Sequence, residues 1–347
     1  MQNKGNKYGI HRVIEPKGVL PQPANRIDNN MDEIYDNEIL IDVQTLNIDS
    51  ASFTDIKARA NHEPEKIKEI MFDIVAKQGK HRNPWTGSGG MLLGTVAQIG
   101  DALKNKTDLK VGDKIATLVS LSLTPLRIDN IKEIRPDIDQ VDIDGKAILF
   151  ESGIYAKIPD DMPANLALSA LDVAGAPAQT AKLVKPGDTV LIIGAGGKSG
   201  MLCCYEAQKR AGVTGKVIGL CHSEKSTKRM LDLGFCDHVF SADATQPVPV
   251  LEKIEELTKG EMCDVTINNV NIPDTEMTSI LCTKDSGLVY FFSMATNFTK
   301  AALGAEGVGS DVTMIVGNGY TRGHAEITLQ LLRESEKLRK IFTELYA

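Results

Sequence analysis

Seven residues, Gly194-Ala195-Gly196-Gly197-Lys198-Ser199-Gly200, have the types and spacing needed to grip a pyrophosphate. Glycines let backbone N–H groups approach the phosphates, and a helix that starts at the turn adds the positive end of its dipole. Gly194, Gly197 and Gly200 satisfy GxxGxxG, whereas a strict GxGxxG from Gly194 and Gly196 would need glycine where Ser199 stands. Either register cradles a pyrophosphate, with the Ser199 hydroxyl and the Lys198 ammonium as further donors. Context gives the turn its weight. TVLIIG before it reads as a buried strand, MLCCYEAQKRAG after it as a helix, and a second strand begins at Val217, making one βαβ unit. The expected ligand is a nicotinamide dinucleotide. Where NAD-specific proteins place a carboxylate for the ribose, at the end of the second strand, this chain has Cys221-His222-Ser223-Glu224-Lys225. Ser223, Lys225 and Arg229 suit a 2′-phosphate and Glu224 a ribose hydroxyl, so NAD and NADP both stay open.

The elements that must position this turn follow from hydrophobic patterning. After Pro163 comes an apolar helix rich in small residues, ANLALSALDVAGAPAQTAKLV. Five strand candidates then alternate with helices: TVLIIGA, KVIGLCH, HVFSA, CDVTINNV and GLVYFFSM. That alternation predicts a doubly wound parallel sheet, a Rossmann domain over residues 165–319. The first third differs. EILIDVQTLNID, GTVAQIG and VGDKIATLV alternate apolar and polar residues, which predicts a largely antiparallel β region over residues 1–164. Within it, EPEKIKEIMFDIVAKQ over 63–78 has helical spacing, and the acidic stretch from Ile128 to Asp144 reads as a surface excursion. AEITLQLLRESEKLRKIFTELY near the end reads as one amphipathic helix.

Composition bounds the function classes. With 347 residues, 42% hydrophobic and 24% charged, the chain suits a soluble two-domain protein. A net charge of −7 gives nucleic acid no electrostatic reason to bind. No apolar run is long enough for a membrane span, and the first residues lack a signal-peptide core, so a cytoplasmic enzyme is expected. All six cysteines lie in the second half without a CxxC pair, which predicts reduced, mostly buried thiols.

The order of the two regions, with GTVAQIG, VGDKIAT and VKPGDTVLIIGAGG, resembles the medium-chain dehydrogenase/reductase superfamily over nearly the whole chain. The resemblance implies α/β architecture: a Rossmann domain plus a GroES-like β-rich catalytic domain, to which residues 320–347 return. It also implies a substrate cleft between the domains and a homo-oligomer. Zinc ligands of that superfamily fall here on Ser52, Gly90 and Ser169, with Met91 beside Gly90. Hydroxyls and a glycine do not replace thiolates and imidazole around zinc, so no metal is expected.

Within the superfamily the chain is most similar to the family of L-erythro-3,5-diaminohexanoate dehydrogenases of lysine fermentation. The similarity lies in GIHRVIEPKGVLPQPANRID, LSLTPLRIDNIKEI, TINNVNIPDTEM and GNGYTRGHAE. It implies a diamino acid substrate, oxidised at C3 to 5-amino-3-oxohexanoate with loss of ammonia. A zinc-free quinone or enoyl reductase is the rival expectation. Oxidative deamination needs a group that takes a proton from the amine, and on the superfamily layout Asp172 and then Asp55 are placed for it. Arg59 or Arg322 can fork the substrate carboxylate, and Glu151 is a further substrate-side acid. His62, Tyr320 and His324 stand in reserve. The loops Asn268-Asn269-Val270 and Phe292-Ser293-Met294 are expected against ribose and nicotinamide, and Gly317-Asn318-Gly319 is expected to close over the ring.

Overall fold

The structure is a computed structural model that describes residues 2–317 and 319–347. It divides into two compact units, one running to Leu168 with Tyr346–Ala347, the other Ser169–Leu345.

The first unit opens with a two-stranded antiparallel ribbon, β1 (Val13–Glu15) and β2 (Arg26–Ile27). β3 (Glu38–Asn47) then leads into helices α1 (Ser50–Arg59) and α2 (Pro64–Gln78). Five more strands follow: β4 (Met91–Ile99), β5 (Lys114–Thr117), β6 (Leu126–Arg135), β7 (Gln140–Phe150) and β8 (Tyr155–Lys157). The sheet order is β6-β7-β3-β4-β5-β8, and every pairing is antiparallel. Helix α2 covers residues 64–78 and buries Ile67, Met71, Ile74 and Val75, four of the five residues its spacing places on one face, with Ile70 partly buried beside them.

Residues 128–144 are not a surface excursion. They form most of the β6–β7 hairpin and bury Ile128, Ile131, Val141 and Ile143. Register shifts between Ile128 and Asn130 and between Ile131 and Glu133 insert extra residues. The apolar spacing therefore changes from two to three, which hides the strand from a period-two reading.

Helix α3 (Ala164–Leu171) spans the division, and after a turn at 172–174 the chain enters α4 (Gly175–Leu183). The single helix expected here is thus two. The parallel strands alternate with helices: β9 (Thr189–Ile193), α5 (Lys198–Ala211), β10 (Lys216–Cys221), α6 (Glu224–Leu233) and β11 (His238–Ser241). They continue as α7 (Pro247–Thr258), β12 (Cys263–Asn268), α8 (Glu276–Leu281) and β13 (Thr283–Phe291). Then come α9 (Phe298–Val308) and a sixth strand that the hydrophobic pattern did not reveal, β14 (Thr313–Val316). The order β11-β10-β9-β12-β13-β14, all parallel, is the doubly wound 3-2-1-4-5-6 arrangement. Central strands buried on both faces carry unbroken apolar runs, as Val190 to Ile193 does here.

The terminal segment forms two helices, α10 (His324–Glu334) and α11 (Glu336–Tyr346), separated at Ser335. Instead of returning to the first unit, residues 320–345 fall in the second. Specific bonds hold them there. Thr328 Oγ1 donates to the Ala174 carbonyl at 3.2 Å, and Lys209 pairs with Glu334 at 2.5 Å. Lys337 Nζ donates to the carbonyls of Asp232 and Leu233, each at 3.2 Å.

Candidate active site

Strand β9 runs straight into the glycine turn. The N–H groups of Gly194 and Ala195 both donate to the Leu220 carbonyl, at 2.9 and 3.0 Å, which fastens the turn to β10. Gly194 has φ +82°, a conformation that favours glycine. A Cβ there would lie 2.7 Å from Val270 Cγ1, one on Gly196 would lie 2.6 Å from Ser226 Cβ, and one on Gly200 would lie 2.0 Å from the Gly194 oxygen. Helix α5 begins at Lys198 after Gly197, which supplies no side-chain cap, so the first-turn N–H groups are not covered by one. A turn with no side chain larger than the Ala195 methyl, leading into an uncapped helix start, fits a dinucleotide pyrophosphate. Two cations flank it. Arg229 Nη1 donates to the Gly196 carbonyl at 2.8 Å, and Lys198 Nζ lies 3.1 Å from Asp172 Oδ2. Asp172 stands in the turn between α3 and α4, so the expected proton acceptor is joined to the first helical residue of the cradle.

Strands β9 and β12 are where the strand order reverses, and the loops after them carry other expected cofactor residues. Asn269 N–H donates to the Ile193 carbonyl at 3.0 Å, while its side-chain Nδ2 is buried with no acceptor among the described residues. Asn268 is structural: its amide donates to Thr275 at 2.8 Å and Ser279 at 2.9 Å and accepts from Val270 N–H at 3.2 Å. After β13, Phe292 N–H donates to the Asn268 carbonyl at 3.0 Å, Ser293 Oγ accepts from Ala295 N–H at 3.0 Å, and Met294 is 78% exposed. Ser223 is the N-cap of α6, in a reciprocal capping box with Ser226. Asn318 lies outside the described residues; beside it, the Gly319 backbone packs against Gly175, where a Cβ would lie 2.7 Å from Gly319 atoms. Arg322 is exposed just before α10. His324 is buried, with its ring edge-on to Tyr320 at 5.1 Å, and burial pushes its pKa down.

A second polar group assembles in the first unit. Asp49 caps α1 by accepting from Ser52 N–H at 3.1 Å, and one helical turn separates Asp55 from Arg59. Arg59 Nε lies 3.0 Å from both Asp55 oxygens. Asn83, fully buried, donates from Nδ2 to Asp55 Oδ2 and to the Ser52 carbonyl, each at 3.1 Å. The Arg59 guanidinium lies 3.5 Å from the centre of the Trp85 ring, and Ser52 Oγ and Thr86 Oγ1 are 2.5 Å apart. Burial alone would raise the Asp55 pKa, but the hydrogen bonds from Arg59 and Asn83 and the Arg59 charge hold it below its ordinary value. Sequence reasoning missed Asn83, Trp85 and Thr86. One signal was available: Trp85 is the chain's single tryptophan, set in the turn-rich stretch HRNPWTGSGG.

Glu151 is not part of that group. Register pairs Glu38 with Phe150 at one end of β3, whereas α1 follows its other end. Nine residue steps of strand separate the two by roughly 30 Å, beyond one small substrate. Glu151 instead meets Asn37 Nδ2 and Lys106 Nζ, both at 3.4 Å, in a cavity of about 290 Å³ with Lys7, Thr107 and Tyr155. His62 is exposed.

The residues present do not fit the superfamily's zinc. Ser52 Oγ bonds Thr86, and Gly90 has φ +104° with room for no side chain, since a Cβ would lie 2.1 Å from the Asn47 oxygen. Among the described residues, no three His, Cys, Asp or Glu side chains gather to hold a metal. No described helix is long and apolar enough to cross a membrane.

The doubly wound unit with its glycine cradle and the antiparallel unit before it define a chain of the medium-chain dehydrogenase/reductase class. The fold resembles the CurK enoyl reductase (TM-score 0.56, 17% identity, 100% of this chain and 89% of the other), a likeness of fold alone. The family model of the L-erythro-3,5-diaminohexanoate dehydrogenase N-terminal domain matches residues 11–159, and one described as zinc-binding dehydrogenase matches residues 200–305. L-erythro-3,5-diaminohexanoate dehydrogenases of Acetoanaerobium sticklandii and Fusobacterium nucleatum subsp. nucleatum are 65% and 64% identical over 343 residues, 99% of this chain and of each relative. The chain belongs to the L-erythro-3,5-diaminohexanoate dehydrogenase family.

Proposed function

We propose that the protein catalyses the oxidative deamination of L-erythro-3,5-diaminohexanoate to 5-amino-3-oxohexanoate and ammonia in lysine fermentation, with NAD or NADP as hydride acceptor. The observation that carries this reading is the 65% identity, over 99% of both chains, to a relative of that name. The glycine cradle supports it physically.

A nicotinamide dinucleotide held on the glycine turn would supply the hydride acceptor for C3. Gly194, Gly196, Gly197 and Gly200 admit the pyrophosphate, which Lys198, Ser199 and the N–H groups of the α5 first turn hold. Ser223 serves the ribose. Asn269, Val270, Phe292, Ser293 and Met294 line the ribose and nicotinamide. Asp172 takes the proton from the substrate amine, freeing the nitrogen lone pair that drives hydride loss, and Lys198 beside it steadies the carboxylate between turnovers. Water then adds at C3, and proton return to nitrogen lets ammonia leave. No metal takes part. Arg59 or Arg322 receives the substrate carboxylate. The enzyme works in the cytoplasm as a homo-oligomer.

The test is reduction of NAD⁺ or NADP⁺ by synthetic L-erythro-3,5-diaminohexanoate, with ammonia released in equal amount. Reduction of a quinone or an enoyl thioester by NADPH, with no activity on the diamino acid, would refute the proposal. Comparing KM for the two dinucleotides fixes the cofactor.

A further inference from the structure

We propose that Arg59, anchored by Asp55 and stacked on Trp85, is a receptor for a carboxylate. Resting on the reaction proposed above, the ligand is the C1 carboxylate of a short amino acid, and Asp55 is a positioning residue that does not take the amine proton.

An Asp and an Arg four residues apart on a helix commonly form a pair of little consequence. Three observations set this one apart. Arg59 spends only its Nε–H on Asp55, and its two terminal nitrogens have no acceptor among the described residues. The end-on edge of the guanidinium, with its two terminal nitrogens, can fork a carboxylate and is therefore left open. Second, Asp55 is itself held by Asn83, a fully buried amide that also clasps the Ser52 carbonyl. Its lowered pKa agrees with a permanent anchor and disagrees with a proton acceptor. Third, the guanidinium carbon sits 3.5 Å over the centre of an indole that is 52% exposed, while the Arg59 side chain is 41% exposed. An arginine fixed at Nε and on one face has already lost most of its side-chain freedom, so a ligand meets a preorganised fork. The exposed indole beside it offers apolar surface to a short aliphatic stem, and the Ser52–Thr86 hydroxyl pair borders the same group.

Trp85 is the only tryptophan, so its emission reports on this site without a label. Binding is measured on the whole protein loaded with reduced dinucleotide, which prevents turnover, using 3,5-diaminohexanoate and its carboxamide. The acid should change Trp85 emission saturably and bind roughly 10- to 100-fold more tightly than the amide, the range expected when a charge-assisted pair is lost at a part-exposed site. Arg59→Gln should erase the difference between acid and amide, and Arg59→Lys, which keeps the charge but loses the fork, should recover only part of it. Asp55→Asn should raise KM while kcat and its pH profile hold, whereas loss of a base would lower kcat and move the profile. Acid and amide binding alike, or a preference that survives Arg59→Gln in protein with unchanged circular dichroism, overturns the receptor. Turnover with no preference for acid over amide leaves the reaction standing and removes the receptor. An acid-specific response without turnover leaves the receptor standing and removes the reaction.

Discussion

Replacing Gly200 by alanine would place a methyl 2.0 Å from the Gly194 carbonyl oxygen and 2.8 Å from backbone atoms of Ala195. To restore an ordinary contact of 3.4 Å, the turn must retreat from the start of α5 by more than an ångström. No flexible side chain can absorb that shift. The oxygen that must move also accepts the Gly197 N–H at 3.0 Å, so the turn loses its own closing hydrogen bond. Overpacking by one methyl costs about 1–3 kcal/mol, and with only backbone in the way the upper end applies. At about 2–4 °C per kcal/mol for a unit of this size, Gly200→Ala should lower Tm by roughly 6–12 °C. Dinucleotide affinity should fall about 10- to 100-fold, the loss of one or two charge-assisted hydrogen bonds to the pyrophosphate. Gly197→Ala provides the contrast on the same turn. Its methyl meets only the Gly194 oxygen, at 3.4 Å, and its φ of −83° suits alanine, so Tm should fall by no more than about 3 °C. Scanning calorimetry and calorimetric titration with NAD⁺ and NADP⁺ read both quantities. Unchanged melting and cofactor affinity in Gly200→Ala would refute the close approach at the cradle.

Asp172→Asn should lower kcat at least about 100-fold while the dinucleotide Kd stays within about threefold, and near-normal turnover would remove Asp172 from proton transfer. Lys80 is fully buried, with Nζ donating to the carbonyls of Pro21 and Gln22 at 2.6 and 2.9 Å, and burial, with the Arg82 charge, pushes its pKa down to about 7. Between pH 7 and its ordinary value the unfolded chain binds the extra proton, so this group's penalty on folding is greatest near neutrality and fades as pH rises. Relative to Lys80→Met, wild-type stability should therefore climb with pH by up to about 1.4 kcal/mol per unit, and parallel urea-unfolding curves at pH 7, 8 and 9 would contradict it. Purified protein should carry no stoichiometric zinc and keep its turnover after dialysis against a chelator; metal-dependent activity would overturn the reading of Ser52, Gly90 and Ser169.

The parallel sheet was legible because strands buried on both faces announce themselves as uninterrupted apolar runs, Val190 to Ile193 above all. β14 escaped because it is four residues long and two of them, Thr313 and Val316, are exposed. β6 escaped for a different reason: its bulges shift the phase of alternation, so Ile128, Ile131 and Ile134 recur every third residue in an extended chain. The terminal helix broke at Ser335 although the amphipathic pattern runs through it.

By itself the sequence determined the glycine cradle, because strand, turn and helix are contiguous and their geometry follows from local backbone preferences. It likewise carried the expectation of no zinc at Ser52, Gly90 and Ser169, which is a matter of side-chain chemistry. Tertiary structure alone decided the partners of the charged groups. Asp172 meets Lys198 across 26 residues and Asp55 meets Asn83 across 28, while Glu151 lies at the far end of β3 from both Asp55 and Arg59. Such pairings depend on strand register and on which loops share one end of a sheet, and no local spacing encodes either. For that reason Arg59 reads in the sequence as one of two arginines able to hold a carboxylate, and only in the folded chain as a fork fixed by Asp55 and Trp85.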